Sequence, residues 1–168
     1  MLIPARLVAI SGIGVDCCEV ERMRRALAAP SGARFRERVF TGAEQAYCEA
    51  RRAARCESYA ARFAAKEAAM KVLGTGWSQG VTWLDVEVLG AAGAPPVLRL
   101  HGVAAAVARR LGIARWLVSL SHTASTAVAF VVAEGGRVRA GGPSRAASPR
   151  GAATGSARPR PRARRPAR

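Results

Sequence analysis

The stretch Tyr59-Ala60-Ala61-Arg62-Phe63-Ala64-Ala65-Lys66-Glu67-Ala68-Ala69-Met70-Lys71-Val72-Leu73 decides how this chain folds. It is built almost entirely from strong helix formers, so it predicts a helix over Tyr59 to Leu73 that Gly74 and Gly76 terminate. Of the 27 basic residues 25 are arginines, and the two lysines, Lys66 and Lys71, both lie in this helix. Where only positive charge is needed the chain uses arginine; a lysine supplies a compact, orientable ammonium in place of a planar fork. Glu67 and Lys71, four residues apart, project from one side, and Arg62 and Lys66 form a neighbouring stripe. An exposed pair at this spacing adds only about 0.3 to 0.5 kcal/mol. The alanines at 60, 61, 64, 65, 68 and 69 favour close packing instead, which places the carboxylate and ammonium at a partly buried cleft.

Upstream, Leu7 to Val15 is an apolar run rich in β-branched residues and reads as a strand ended by Asp16. Val20, Met23 and Leu27 then share one face of a helix whose other faces carry Glu19, Glu21, Arg22, Arg24 and Arg25. Thr41-Gly42-Ala43-Glu44 is a capping box and starts a further helix. Downstream, Val81 to Leu89 and Val97 to Leu100 read as strands, and Val103 to Leu111 as a helix ended by Gly112. Trp116 to Ser121 and Ala127 to Ala133 make a hairpin across the polar loop His122 to Thr126. Strands and helices mix without a strict βαβ rhythm, so the expected class is α+β.

The 168 residues carry a formal charge of +16, unevenly placed. From Arg137 to Arg168 there are ten arginines and no acidic residue; residues 1 to 136 hold 17 basic against 11 acidic groups. Two parts are therefore expected: a folded domain over 1–136, and an Arg/Pro/Ala/Gly-rich basic tail over 137–168 that is disordered because it has too little apolar surface to bury. A tail of this kind can attach to nucleic acid, membrane or acidic proteins, but it has no aromatic residue to stack on bases. No run of about 18 apolar residues would span a membrane. The first residues imitate a signal peptide only faintly, because Ser11, Gly12 and Gly14 interrupt the run. Cys17, Cys18, Cys48 and Cys56 form no C-x-x-C pair, so reduced thiols in a cytoplasmic protein are expected rather than a zinc site or a disulfide scaffold.

Gly14-Val15-Asp16 puts a carboxylate at the expected strand end, where it could also cap a helix starting at Cys17. If Asp16 and Glu67 converge, two carboxylates with open positions suit Mg²⁺, which completes its shell with water and substrate phosphates. Ammonium and guanidinium groups beside it would then point to a polyanionic phosphate ligand. Ser121-His122-Thr123 lacks the G-x-S-x-G elbow and a neighbouring acid that a nucleophilic triad needs, so phosphate or base-edge contact is its better reading.

Four segments, in order, carry a resemblance. They are Gly14-Val15-Asp16 with Arg22 six residues on, Phe40-Thr41-x-x-Glu44-x-x-Tyr47-Cys48, Arg62 to Lys71 with Gly74-Thr75-Gly76, and Ser119-Leu120-Ser121-His122-Thr123. Together they closely resemble holo-[acyl-carrier-protein] synthase, the small phosphopantetheinyl transferase family. The match runs from about residue 7 to 134, and the tail has no counterpart.

The resemblance implies an enzyme that transfers 4′-phosphopantetheine from coenzyme A to a serine of an acyl carrier protein, serving fatty acid or polyketide assembly. The implied fold is an antiparallel sheet packed on a long central helix, in a homotrimer with three sites at subunit clefts. By motif match, Asp16 and Glu67 would hold Mg²⁺, with Glu67 the candidate base and Lys71 beside the reacting phosphoryl group. Arg62, Lys66, Gly74, Pro96 and the Ser121-His122-Thr123 loop would meet the nucleotide end of coenzyme A. One departure is Gly93-Ala94-Pro95-Pro96, where the family usually has Gly-Lys-Pro; the lysine is missing and Pro96 best matches the proline. Carrier proteins are acidic, so the first helix, with Arg22, Arg24 and Arg25, is the expected docking face. Two rival readings are a basic nucleic-acid-binding protein, with most of the excess charge confined to the tail, and a non-catalytic module that binds carrier proteins.

Overall fold

The computed structural model describes residues 9–76, 79–90 and 94–135. The expected basic tail and the start of the first strand at Leu7 lie outside the described residues. Strand β1 (Ala9–Glu19) leads into helix α1 (Val20–Ala28), followed by α2 (Gly32–Val39), α3 (Gly42–Ala50) and α4 (Arg55–Leu73). A hairpin of β2 (Val86–Leu89) and β3 (Val97–Leu100), helix α5 (Gly102–Arg110), and the long strands β4 (Ile113–His122) and β5 (Thr126–Gly135) complete the α+β architecture. The main sheet has the order β1-β5-β4, antiparallel throughout, and β2-β3 form a separate two-stranded sheet.

Helix α4 is the axis of the core. Its alanines 60, 61, 64, 65, 68 and 69 are all buried, together with Tyr59, Met70 and Leu73. Small side chains let the main sheet approach closely. The tightest approach is at Gly14, where an added Cβ would stand 2.1 Å from the carbonyl oxygen of Ala68. Gly74 closes the helix in the left-handed region at φ 71°, where a residue without Cβ is least strained.

The Thr41 box forms as expected: Glu44 N donates to Thr41 Oγ1 at 3.3 Å, and Thr41 N donates to Glu44 Oε2 at 2.8 Å. Val20, Met23 and Leu27 are the buried face of α1.

Four local expectations are corrected. Asp16 lies inside β1, which continues to Glu19, so it neither ends the strand nor caps a helix; pairing with Ala129 of β5 carries the strand through. The expected strand Val81 to Leu89 is ordered as strand only from Val86, because Thr82 and Asp85 form their own capping box around a 3₁₀ turn at Trp83–Asp85. Helix α2 is absent from the sequence reading, since its short Arg-rich turn offers few apolar positions to set a period. Ser121 and His122 belong to β4, and the turn is only residues 123 to 125.

The four thiols are free, and burial pushes Cys18 up to about 11 and Cys48 up to about 12. Among the described residues no helix is long and apolar enough to cross a membrane.

The main sheet buries one face on α4, and among the described residues nothing covers the other. Cross-strand rows on the open face read Ile13-Val132-Leu117, Val15-Phe130-Ser119 and Cys17-Val128-Ser121. Ile13, Val15 and Phe130 are 58%, 52% and 45% exposed.

Candidate active site

Two groups of side chains gather on different stripes of α4. The first faces β1. Because Gly14 seats that strand against the helix backbone, Asp16, two residues on along the same strand face, reaches the next turn of α4. Lys71 Nζ donates to Asp16 Oδ1 at 2.7 Å and to the Val15 carbonyl oxygen at 2.8 Å. Glu67 stands one turn before Lys71. Burial pushes its carboxyl up, and the negative charge of Asp16 adds to this; Lys71 and Arg22 pull the other way. The two carboxylates, 51 positions apart in sequence, thus lie within electrostatic reach of each other in one chain, with Lys71 bonded to Asp16 and Arg22 close enough to act on Glu67.

Paired carboxylate oxygens are hard donors. Among the described residues no group of three or more His, Cys, Asp or Glu side chains gathers to form a closed cage. An ion held here would take the rest of its shell from water and ligand oxygens, which is the habit of Mg²⁺ and not of structural zinc. The residues present fit that ion.

The second group faces α3 and β2 and lines a cleft of about 330 Å³. Its walls are Tyr47, Arg51, Ala54, Ser58, Ala61, Arg62, Gly90, Ala94, Pro96, Leu120 and His122. The Arg62 guanidinium lies 3.8 Å from the Tyr47 ring centre and that of Arg51 lies 4.9 Å from it, so the ring meets two cations. Arg51 also donates to the Tyr47 hydroxyl at 2.7 Å. Arg62 is buried and donates through Nη1 to Ser58 O at 3.4 Å, while its Nε has no hydrogen-bond partner. Among the described residues no carboxylate lines this cleft. Two guanidiniums, an imidazole and an unpartnered buried N–H make it a receptor for an anion.

Of the expected nucleotide contacts, Arg62, Pro96 and His122 converge here. Lys66 does not. Its ammonium is fully buried and spends all three protons inside the fold, on Glu44 Oε2 at 2.8 Å, Trp83 O at 2.9 Å and Val86 O. Gly74 sits at the far end of α4, about 18 Å along the axis from Arg62 at 1.5 Å per residue. Ser121 faces the open side of the sheet in the row with Val128. Thr123 Oγ1 accepts from Ser125 N at 3.3 Å and Thr126 N at 3.2 Å, so it shapes the turn. Arg22 and Arg25 are exposed on α1, Arg22 near enough to Glu67 to act on its charge. Tyr47 and Arg51 were missed as site residues. Their signal was available: residues 44, 47 and 51 of α3 share one stripe, which the capping box makes the inward one.

Comparison with known proteins identifies the family and the fold. Residues 12–130 match the family model for the 4′-phosphopantetheinyl transferase superfamily. A holo-[acyl-carrier-protein] synthase of Anaeromyxobacter sp. (strain K) is 53% identical over 128 residues, covering 75% of this chain and 97% of that protein. The crystal structure of the Neisseria meningitidis holo-[acyl-carrier-protein] synthase superposes with a TM-score of 0.66 at 30% identity, over 74% of this chain and 98% of that one. The Helicobacter pylori holo-[acyl-carrier-protein] synthase in complex with coenzyme A gives a TM-score of 0.62 at 26% identity, over 72% and 98% of the two chains.

Proposed function

This chain belongs to the 4′-phosphopantetheinyl transferase superfamily, and from that premise we propose that it transfers 4′-phosphopantetheine from coenzyme A to a serine of an apo acyl carrier protein. Adenosine 3′,5′-bisphosphate is the other product. The bond from Lys71 to Asp16 across 55 positions, with Glu67 one turn before Lys71 and within electrostatic reach of Asp16, carries this reading.

In the reaction the serine oxygen forms a bond to the phosphorus that bears pantetheine, and the bond from that phosphorus to the bridging oxygen of the nucleotide breaks. Such a transfer asks the protein mainly for positioning and charge neutralisation. Asp16 and Glu67 would hold Mg²⁺, whose chemistry when bound is to neutralise the pyrophosphate. The serine proton must leave. Glu67 is the candidate to take it. Lys71, already fixed beside Asp16, stabilises the charge that develops on the phosphoryl oxygens.

The anion-receiving cleft takes the phosphorylated nucleotide. Arg62, Arg51 and His122 meet phosphate, with Tyr47 and Pro96 as its apolar walls. Within one chain the carboxylates and this cleft occupy different stripes of α4, so the reaction needs a second copy to bring a cleft to the carboxylates. The open sheet face with Ile13, Val15 and Phe130 is the surface that a homotrimer would bury. Arg22 and Arg25 on α1 then receive the acidic carrier protein beside Glu67. The setting is the cytoplasm and the service is fatty acid or polyketide assembly.

The test is to mix the protein with coenzyme A, Mg²⁺ and one apo carrier protein and weigh the product. The carrier gains the mass of one phosphopantetheine group, and only when Mg²⁺ is present. A carrier of unchanged mass would refute the proposal.

A further inference from the structure

The buried ion pair of Glu44 and Lys66 is left over by the chemistry above. Neither side chain has any exposed surface, and burial pulls the Lys66 ammonium below the usual lysine range against the upward pull of Glu44. Removing two charges from water costs about as much as their attraction returns, so a buried pair is weak evidence of stabilisation and calls for another reason.

Its place in the fold supplies one. Helices α3 and α4 run antiparallel, and their facing stripes form two rungs. On the first, Glu44 Oε2 meets Lys66 Nζ at 2.8 Å. On the second, one turn along each helix, the Tyr47 ring lies 3.8 Å from the Arg62 guanidinium. Strand β2 and Gly90, the residue that follows it, join both. At the first rung Val88 N donates to Glu44 Oε1 at 2.9 Å and Val86 O accepts from Lys66. At the second, Gly90 lies so close that a Cβ there would stand 3.3 Å from Arg62 Nη2 and 3.5 Å from Tyr47 Cε2. The first rung is closed on every side, with each donor and acceptor used. The second opens into the cleft and holds the unpartnered Arg62 Nε.

We propose that Glu44 and Lys66 are positioning residues for the nucleotide cleft: their pair fixes the spacing of α3, α4 and β2 at which Tyr47 and Arg62 receive a phosphorylated nucleotide. This rests on the reading of the cleft given above. Neither residue touches the ligand. Each acts through its neighbour one turn away, and the pair's directional bonds hold a separation that apolar packing of the same volume would leave adjustable.

The experiment uses the full chain with both charges removed at once, Glu44→Gln with Lys66→Met, and titrates adenosine 3′,5′-bisphosphate by calorimetry. The expected result is a folded protein whose nucleotide affinity falls about tenfold, the scale on which a loosened supporting shell acts. The KM for coenzyme A rises in step while the KM for the carrier protein stays within about twofold, a split that general loss of structure would not give. Unchanged nucleotide affinity, or an equal rise in both KM values, overturns the inference. Glu44→Gln alone is the second variant should the pair fail to fold; failure of both would show a core element with no dedicated role at the cleft, and also overturns it. Arg62→Met separates the two levels of the argument. If it binds nucleotide as the parent does, the cleft is misassigned; if it binds weakly and the paired variant binds normally, only the positioning role falls.

Discussion

Replacing Gly14 by alanine tests how the strand and the central helix build the site. No left-handed backbone is needed at this position, so the cost is purely steric. The new Cβ would stand 2.1 Å from Ala68 O and 2.9 Å from the carbonyl carbon, against ordinary contact from 3.4 Å, so β1 must retreat by about 1.3 Å. Helix backbone cannot rotate away as a side chain could. Overpacking of this kind costs about 1 to 3 kcal/mol, or roughly 3 to 10 °C in melting temperature for a chain of this size. The consequence for chemistry is larger. Asp16 moves with the strand, its 2.7 Å bond to Lys71 is lost, and a displacement near 1 Å at a reacting centre costs about a hundredfold in turnover. Thermal melting and initial-rate assays of Gly14→Ala would be run beside Gly42→Ala, where nothing lies within 4 Å of the added carbon. If Gly14→Ala melts and turns over like the parent, the close seating of β1 does not place Asp16 and the reasoning fails.

Three further outcomes are expected. Arg22→Glu raises the carrier-protein KM with little change in that for coenzyme A, because it reverses charge on the docking face; an unchanged KM removes Arg22 from that surface. Phe130→Glu, in the middle of the open sheet face, yields a monomer by sedimentation and takes turnover with it; a monomer of full activity would refute the shared site. Burial raises the Glu87 carboxyl, but hydrogen bonds from His101 Nε2 at 2.9 Å and Thr41 Oγ1 at 2.8 Å outweigh it and hold the group low. An acid held low stabilises the fold above its ordinary pKa and loses that contribution as pH falls through the depressed value. The stability gap between parent and Glu87→Gln should thus be full near neutrality and close below about pH 4.5, as melting across pH would show; a gap independent of pH contradicts the pairing.

Local chemistry was readable from the chain alone. The alanine-rich helix, the Thr41 box and the buried face of α1 depend on neighbours three or four residues away, and all three formed. What stayed hidden depends on direction across distance. Lys66 matches a motif, but no motif says whether an ammonium points to a ligand or to a carboxylate 22 positions earlier. Ser121 and His122 are adjacent, yet the period of two in a strand sends one to the open face and the other to the cleft. Asp16 looked like a strand end because the apolar run stops there; the strand continues because β5 supplies its hydrogen bonds. Gly14 sits within the expected strand, but which backbone it meets, the Ala68 carbonyl of α4, becomes visible only once the helix lies beneath it.

The central claim is that Asp16 and Glu67 act as one unit, and a double-variant cycle tests it most directly. Asp16→Asn and Glu67→Gln should each reduce turnover by orders of magnitude in a folded protein, and the double variant should be no worse than the poorer single one, because either loss disables the same site. If the two losses multiply, the carboxylates work independently and the account is wrong.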